Sequence, residues 1–518
     1  MPSSYTGVTR RGDRDASILG RMTTSARSLV LLVMPWVPTS ATLARPHASS
    51  QERPNAPLAG ALEIGDPYFP GLGNGGYDVE HYALELDIDM DSNEVAATAR
   101  IRARALHPLA SFSFDLYGLE VSGVRVDGQD ARFERTPPAP LPNGTSGKSA
   151  ELVIHPAAPL AAGAVFLAEV AYGGSPAGRP DPAFAFLPQS KGSGWQRRES
   201  GVYVTSQCIG ASSWFPCNDH PRDKASYSFR VTVAKPWTAA ANGVLTEMIE
   251  EGEARTFVFE ARDPMASYLA TLNVAEFDVL ESKGPRGIPI RIYHPPDATE
   301  DELAGFRRQN EVLEFLEAVF GPYPFEAAGG VMQYEPAAGA LECQTLPVYG
   351  RGCDLETILH ELAHQWFGDS VSVDLWRDLW LNEAFASYSE WLWLEDTKGV
   401  EAYDEKARRT YAELRKSKTG SPFDPGVAQA FSGRVYQRGP FVVHGLRREV
   451  GDEVFFRILQ NWVETNKNGN GSTAAFMAYA SKCAGRELTP FFDAWLFADV
   501  TPEVKELEPP PAAGGAGG

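Results

Sequence analysis

The chain has 518 residues, of which 43% are hydrophobic and 22% charged, as in an ordinary soluble protein. A net charge of −20, from 67 acidic and 47 basic side chains, excludes the overall positive charge with which nucleic-acid-binding proteins attract phosphates. No window approaches 18 consecutive apolar residues, so no stable membrane span is predicted, and five cysteines without a C-x-x-C pair exclude thiolate zinc ribbons.

Residues 1–48 have the composition of a targeting segment. They contain six arginines, two aspartates and neither lysine nor glutamate, and an apolar run at 29–34 precedes Ala44 and Ala48. This order resembles a secretory signal, so we expect an exported protein that is cleaved after one of these alanines. The alternative interpretation is a disordered tail.

The next part of the chain has the pattern of strands. Apolar and polar residues alternate with period two at 82–89, 99–105, 229–233 and 257–260. Turn clusters such as Asp127-Gly128 separate these segments. Short strands at this spacing predict a sandwich-like or saddle-shaped all-β domain.

The pattern becomes mostly helical in the second half. Thr299 is expected to open a helix, a short strand is expected at 330–334, and from Asp354 to Phe497 nearly every segment has helical periodicity. This change predicts a boundary near residue 282 and a mixed, mostly helical second domain. We therefore divide the chain beyond the targeting segment into a linker at 49–66, an all-β domain at 67–282, a second domain at 283–505 and a disordered tail at 506–518.

The strongest chemical signal is the motif His360-Glu361-x-x-His364. Asp354 or Thr357 can cap a helix here, and positions i and i+4 of a helix differ by only about 40° in direction, so both imidazoles project from one face. Neutral imidazole suits Zn²⁺, and Glu361 lies next to that face as a candidate general base. Two histidines satisfied in a core are the structural alternative.

A third ligand is available in Glu383, nineteen residues after His364. Two histidines and one carboxylate leave one coordination position open, which is the arrangement of a catalytic zinc site. Glu390 lies two turns beyond Glu383 on the same helical face. It either accepts the free N–H of a ligand imidazole or is a solvated helix carboxylate, and the sequence leaves both interpretations open.

Three further segments accompany this motif. Residues 339–343 read Gly-Ala-Leu-Glu-Cys, residues 436–439 read Tyr-Gln-Arg-Gly, and residues 206–208 and 214–221 read Ser-Gln-Cys and Trp-Phe-Pro-Cys-Asn-Asp-His-Pro. In their order along the chain, with the last pair upstream of the others, and together with the metal motif, they resemble the exopeptidase motif, the catalytic tyrosine segment and the β-domain edge of the gluzincin zinc aminopeptidases, the family of alanyl aminopeptidase and leukotriene hydrolase.

The resemblance implies a saddle-like N-terminal β domain followed by a thermolysin-like metallopeptidase domain, without the large C-terminal helical domain of many members. It implies one zinc ion on His360, His364 and Glu383. It also implies that Glu361 is the general base and that the Tyr436 hydroxyl stabilises the oxyanion.

The resemblance further implies how a peptide substrate is held. Glu342 would pair with the free α-ammonium of the substrate, with Gln207 as a second polar group beside it. Gly339 and Ala340 would let the substrate backbone lie close. We therefore expect an aminopeptidase acting on peptides with a free N-terminus. The alternatives are an endopeptidase or an epoxide hydrolase on the same scaffold, or a non-catalytic peptide-binding scaffold.

Overall fold

The computed structural model describes residues 57–136, 150–186, 192–337, 339–417 and 419–507. The predicted targeting segment, residues 49–56 of the predicted linker and residues 508–518 of the predicted tail therefore lie outside the described residues. Among the residues that are described, no helix is both long and apolar enough to cross a membrane.

The first half of the described chain is built from strands, with short 3-10 turns at Pro182–Phe184, Ala211–Ser213 and Ser267–Leu269. These strands are β1 (Leu58–Ala59), β2 (Tyr77–Asp89), β3 (Glu94–Ala105), β4 (Leu109–Asp115), β5 (Glu120–Val126), β6 (Gln129–Asp130), β7 (Arg132–Arg135), β8 (Glu151–His155), β9 (Val165–Gly174), β10 (Gly194–Arg198), β11 (Gly201–Thr205), β12 (Lys224–Ala234), β13 (Thr238–Ala241), β14 (Val244–Glu251), β15 (Ala254–Ala266) and β16 (Leu272–Ala275).

The largest sheet of this half has the strand order β14-β15-β12-β2-β3-β9-β5-β6. Neighbouring strands are antiparallel except for β12 and β2, which are parallel. The alternation of buried and more exposed residues along its strands follows from the sequence. In β2, Tyr82, Leu84 and Leu86 are buried, because apolar side chains at period two all face the same side of a strand. Two smaller sheets, β1-β4-β8-β7 and β10-β11-β16-β13, complete the half. The predicted β-rich N-terminal domain is confirmed.

The second half combines a small sheet with helices. Its strands are β17 (Asp278–Lys283), β18 (Pro289–His294), β19 (Ala328–Met332), β20 (Val348–Tyr349), β21 (Val371–Val373) and β22 (Gly469–Gly471). Its α-helices are α1 (Glu300–Leu303), α2 (Gln309–Phe320), α3 (Leu355–Ala363), α4 (Trp380–Lys398), α5 (Val400–Ser417), α6 (Gly439–Val450), α7 (Asp452–Asn466), α8 (Thr473–Ala484) and α9 (Thr489–Phe492). This confirms the expected change from β to α+β structure.

Helix α4 lies at the centre of the second half. It packs against α3, α5 and α6, and most of its side chains are buried, among them Trp380, Phe385 and Trp391. A helix that is apolar on most of its surface belongs in the interior, and α4 is such a helix. The residues of its first two turns are therefore held rigidly beside α3.

The structure corrects three of the predicted boundaries. The boundary at residue 282 falls inside β17, which pairs with β18 in the sheet β17-β18-β19-β20, so the change of sheet lies at residues 276–277. Residues 57–66 of the predicted linker are packed on the β domain, because β1 pairs with β4. The predicted tail begins too early, since Leu507 is buried in the core.

Lys224 and Asp66 form hydrogen bonds between the two halves of the molecule. Lys224 Nζ, at the start of β12, donates to the carbonyl oxygens of Asp369, Ser370 and Gly469 at 2.7, 3.0 and 3.2 Å. The Asp66 carboxylate is buried and accepts the Tyr68 and Trp376 N–H groups at 2.8 and 3.0 Å.

The same Asp66 carboxylate contacts His220 Nε2 at 3.1 Å. Burial opposes ionisation of Asp66, but the hydrogen bonds from His220 and from the Trp376 and Tyr68 N–H groups hold its pKa below its usual value. The carboxylate therefore stabilises the folded chain as an anion.

We expect Asp66→Ala to lower the free energy of unfolding by about 3 kcal/mol, because it leaves buried donors without an acceptor. Asp130→Ala removes a solvent-exposed carboxylate and is the matched control with little effect. Urea unfolding measures both. Because the folded pKa of Asp66 is depressed, its contribution is complete above about pH 4 and is lost as the pH falls further. Equal stability of the two variants at pH 7 would contradict this assignment.

Candidate active site

Helix α3 presents the two histidines of the metal motif. Asp354 caps this helix, because its Oδ1 accepts both the N–H and the hydroxyl of Thr357 at 2.8 Å. The apolar residues of α3 are buried on one side, and His360 and His364 project together from another, with ring centroids 4.8 Å apart. The cap and the four-residue spacing therefore fix both imidazoles on one face.

The first turn of α4 brings Glu383 to these histidines. Glu383 Oε2 lies 3.4 Å from His360 Nε2 and 3.3 Å from His364 Nε2. The three candidate ligand atoms lie within 4.8 Å of one another, so one cation can contact all three. The structure thus brings together the three residues that the sequence proposes as metal ligands.

The second nitrogen of each histidine has its own partner. His360 Nδ1 lies 2.8 Å from Glu390 Oε1, and His364 Nδ1 lies 3.0 Å from the carbonyl oxygen of Phe367. Both acceptors place the proton on Nδ1, which leaves the lone pair of Nε2 for a metal. Of the two interpretations of Glu390, the structure favours the one in which it orients a ligand imidazole.

The donor set fits zinc. Glu383 Oε2 is buried and has no hydrogen-bond partner within the described part of the chain, although two imidazole nitrogens surround it. An orphaned buried oxygen between two nitrogen lone pairs is stabilised by a cation. Two neutral imidazoles and one carboxylate are the ligand types that Zn²⁺ prefers, with one position left for a reactant.

Glu361 and Glu342 lie beside this centre. Their carboxylates and the His364 ring offer atoms within 4.8 Å of one another, and both glutamates are more than nine-tenths buried. Burial raises the pKa of Glu361 to about 7, against the attraction of the two histidines. A carboxylate with such a pKa can both take up and release a proton near neutral pH.

Glu342 is paired with a residue of the β domain. Gln207 Nε2 donates to Glu342 Oε1 at 2.9 Å, and burial raises the pKa of Glu342 above its usual value. Gly339 and Ala340 precede Glu342 on the wall of the groove, where Gly339 is exposed. The structure therefore groups all four residues that the resemblance assigns to substrate binding.

Tyr436 lies near His360, in the π-helical turn Arg434–Arg438. Its ring centroid is 6.2 Å from that of His360, with 29° between the ring planes. Burial, with the nearby Glu383 carboxylate, raises the pKa of Tyr436 well above its ordinary value, so the hydroxyl remains a hydrogen-bond donor. The buried Arg438 fixes the turn by donating to the carbonyl oxygen of Thr419 at 3.0 Å.

One groove of about 1340 Å³ lies between the two halves of the molecule, and its lining includes Gln207, Gly339, Ala340, His360, Glu361, Glu390 and Tyr436. Phe184 of the β domain stacks on Phe431 of the second domain across its wall, with ring centroids 4.6 Å apart and 12° between the planes. Neither phenylalanine has a sequence signal of its own, because each lies in or just after a short 3-10 turn without a periodic pattern.

Gln365 is a further residue that the sequence does not single out. It is completely buried, its Nε2 donates to the carbonyl oxygen of Glu342 at 3.0 Å, and its Oε1 accepts the Thr345 N–H at 2.8 Å. Because Gln365 directly follows His364, these bonds fix the Glu342 segment relative to the metal ligands. Its position next to His364 is the signal that could have identified it.

We expect Glu390→Ala to weaken zinc binding about 10- to 100-fold, because the His360 ring loses the acceptor that sets its tautomer and orientation. Zinc affinity is measured by competition with a chelating dye, with circular dichroism as a check of folding. Glu405→Ala, which removes an exposed glutamate from α5, is the matched control. Unchanged affinity of the Glu390 variant would show that this contact does not tune the metal site.

Comparisons with known proteins agree with this geometry. Residues 306–495 match the Peptidase family M1 domain, and residues 78–269 match the Peptidase M1 N-terminal domain. Aminopeptidase 2, mitochondrial, of Saccharomyces cerevisiae is 28% identical over 309 residues, which are 54% of this chain and 32% of that protein. Aminopeptidase N of Homo sapiens is 29% identical over 296 residues, 50% of this chain and 30% of that protein.

The chain thus spans about a third of the length of these two relatives. Solved structures match it more completely. An M1 zinc metallopeptidase from Deinococcus radiodurans has a TM-score of 0.77 at 29% identity, covering 85% of this chain and 99% of that one. A variant of it bound to a Tyr-Ser-Ala substrate gives the same values. The two family matches together cover more than half of the chain, which therefore belongs to peptidase family M1.

Proposed function

We propose that the chain is a zinc-dependent aminopeptidase that removes N-terminal amino acids from peptides. The observation that carries this proposal is the position of Glu342, a buried carboxylate whose oxygen lies within 4.8 Å of ligand atoms of Glu361 and His364. The peptide substrate and the zinc in the names of the solved M1 structures support it.

The spacing of these groups favours cleavage after one residue. The α-amine and the first scissile carbonyl of a peptide are bonded to the same Cα, so a carboxylate that holds the α-ammonium must lie close to the group that reacts with this carbonyl. A carboxylate oxygen of Glu342 lies within 4.8 Å of ligand atoms of Glu361 and His364. A buried carboxylate also binds an ammonium more strongly than an exposed one, since water does not screen the pair. The first peptide bond is therefore the one brought to Glu361.

The residues around the first peptide bond have complementary tasks. Bound zinc supplies Lewis-acid activation of water and of the scissile carbonyl. Glu361 takes a proton from the attacking water and later transfers it to the departing amine. The Tyr436 hydroxyl donates to the oxygen on which negative charge develops. Glu342 and Gln207 hold the N-terminus, and Glu390 keeps the His360 ring in place.

We expect the zinc-loaded protein to hydrolyse L-alanine p-nitroanilide and to lose this activity with a chelator. Glu342→Gln should raise KM for this substrate at least about tenfold, because it removes the charge that pairs with the α-ammonium. Glu335→Gln, which changes another glutamate on the groove wall, is the matched control.

The N-acetylated anilide separates the alternatives. An aminopeptidase should leave it largely uncleaved, whereas equal cleavage of both anilides would indicate an endopeptidase and contradict the role of Glu342. Failure of the zinc-loaded protein to cleave any peptide bond would leave an epoxide hydrolase or a non-catalytic scaffold.

We also propose that the protein is exported and acts outside the cytoplasm. The excess of arginine in residues 1–48, the apolar run at 29–34 and the small residues that follow support this proposal. Fractionation of expressing cells should find a shortened chain outside the cytoplasm, and deletion of residues 1–48 should retain the product inside. A full-length chain that stays in the cytoplasm would contradict export.

A further inference from the structure

The end of the groove at Glu342, where we propose that the substrate α-ammonium binds, depends on a loop of the β domain. Gln207 lies between β11 and the 3-10 turn Ala211–Ser213, and it reaches across the domain boundary to Glu342. Glu342 itself is anchored in the second domain through Gln365. The position of Gln207 relative to Glu342 is therefore fixed only if the β domain holds Gln207 as firmly as Gln365 holds Glu342.

Asp181 is the group that holds this loop. It is 8% exposed, and its Oδ2 accepts the Cys208 N–H at 2.9 Å and the Ser193 hydroxyl at 3.0 Å. Ser193 Oγ also lies 2.8 Å from the carbonyl oxygen of Gln207. The carbonyl and the N–H of the peptide unit that joins Gln207 to Cys208 thus both contact the Asp181–Ser193 pair.

A second contact links Asp181 to the groove wall. Its Oδ1 accepts the Ala183 N–H at 2.8 Å, which caps the 3-10 turn Pro182–Phe184. Phe184 ends that turn and stacks on Phe431 of the second domain. One buried carboxylate therefore fixes two elements that line the groove. Among the residues that the structure describes, Asp181 makes no hydrogen bond to Glu342, so its influence on the amine passes through Gln207.

We infer that Asp181 is a positioning residue for recognition of the substrate α-ammonium: by fixing the Gln207–Cys208 peptide unit it aims Gln207 at Glu342. The inference rests on the proposed aminopeptidase function. Its physical basis is that binding groups act fully only when neighbouring contacts hold them within about 0.5 Å of the productive geometry. Without Asp181, the loop must order itself each time a substrate binds.

The test compares two inhibitors of the zinc-loaded full chain, L-alanine hydroxamate and propionohydroxamic acid, which differ only in the α-amine. The ratio of their inhibition constants measures recognition of that amine alone. In Asp181→Ala we expect this preference to fall about tenfold, while the inhibition constant of propionohydroxamic acid changes less than about threefold. A loss of folded enzyme would lower the maximal rate and leave the ratio unchanged.

Three further variants make the test specific. Ser193→Ala removes only the hydroxyl between Asp181 and Gln207, and it should lower the preference about threefold even if Asp181→Ala does not fold. Asp115→Asn changes another buried aspartate of the β domain, whose Oδ2 accepts from Asn74 and Asp219, and should leave the ratio unchanged. In a Gln207→Ala background, Asp181→Ala should cause no further loss of preference.

The possible outcomes distinguish a failure of this inference from a failure of the proposed aminopeptidase function. A wild-type preference for the amine that persists in both Asp181→Ala and Ser193→Ala overturns the role of Asp181 and leaves the aminopeptidase intact. A further loss in the Gln207→Ala background also overturns it, because Asp181 would then act by another route. If the wild-type protein itself shows no preference for the amine, the amine-binding role of Glu342 fails, and this inference fails with it.

Discussion

The active site depends on one electrostatic constraint: the Nε2 atoms of two imidazoles lie 3.4 and 3.3 Å from one buried carboxylate oxygen. His360, His364 and Glu383 meet in this way because α3 and α4 pack against each other in the core. Such a cluster of lone pairs is costly unless a cation occupies its centre. The Glu390 contact and the proton on each Nδ1 follow from that requirement.

Two glutamates beside the metal ligands have different surroundings. Glu361 and Glu342 are both buried carboxylates near the metal ligands, but they have different neighbours. Among the described residues the Glu361 carboxylate makes no hydrogen bond, whereas Glu342 is held by Gln207 and by the Gln365 bond to its carbonyl. Two identical side chains thus have different surroundings because the neighbouring hydrogen bonds differ.

The parts of this site that the sequence predicts are those with a short-range signal. Asp354 as a cap and the i, i+4 histidines depend on residues within one or two helical turns, and four motifs in order indicate the family. Asp66 has no such signal: its partners include Trp376, 310 residues away, so the sequence pattern places it in a linker. The π-helical turn at Tyr436 and the long-range bonds of Gln365 are likewise set by packing and not by periodicity.

Lys224 shows how closely the two halves depend on each other. Its ammonium group donates hydrogen bonds to three carbonyl oxygens of the second domain, two of which lie in the segment that follows His364. If the β domain were cut away, these oxygens would face solvent, and Glu342 would lose Gln207 as well. The second domain consequently depends on the β domain for the Lys224 donor to its carbonyl oxygens and for the Gln207 side chain that contacts Glu342. A shortened form beginning at the second domain would lack both contacts.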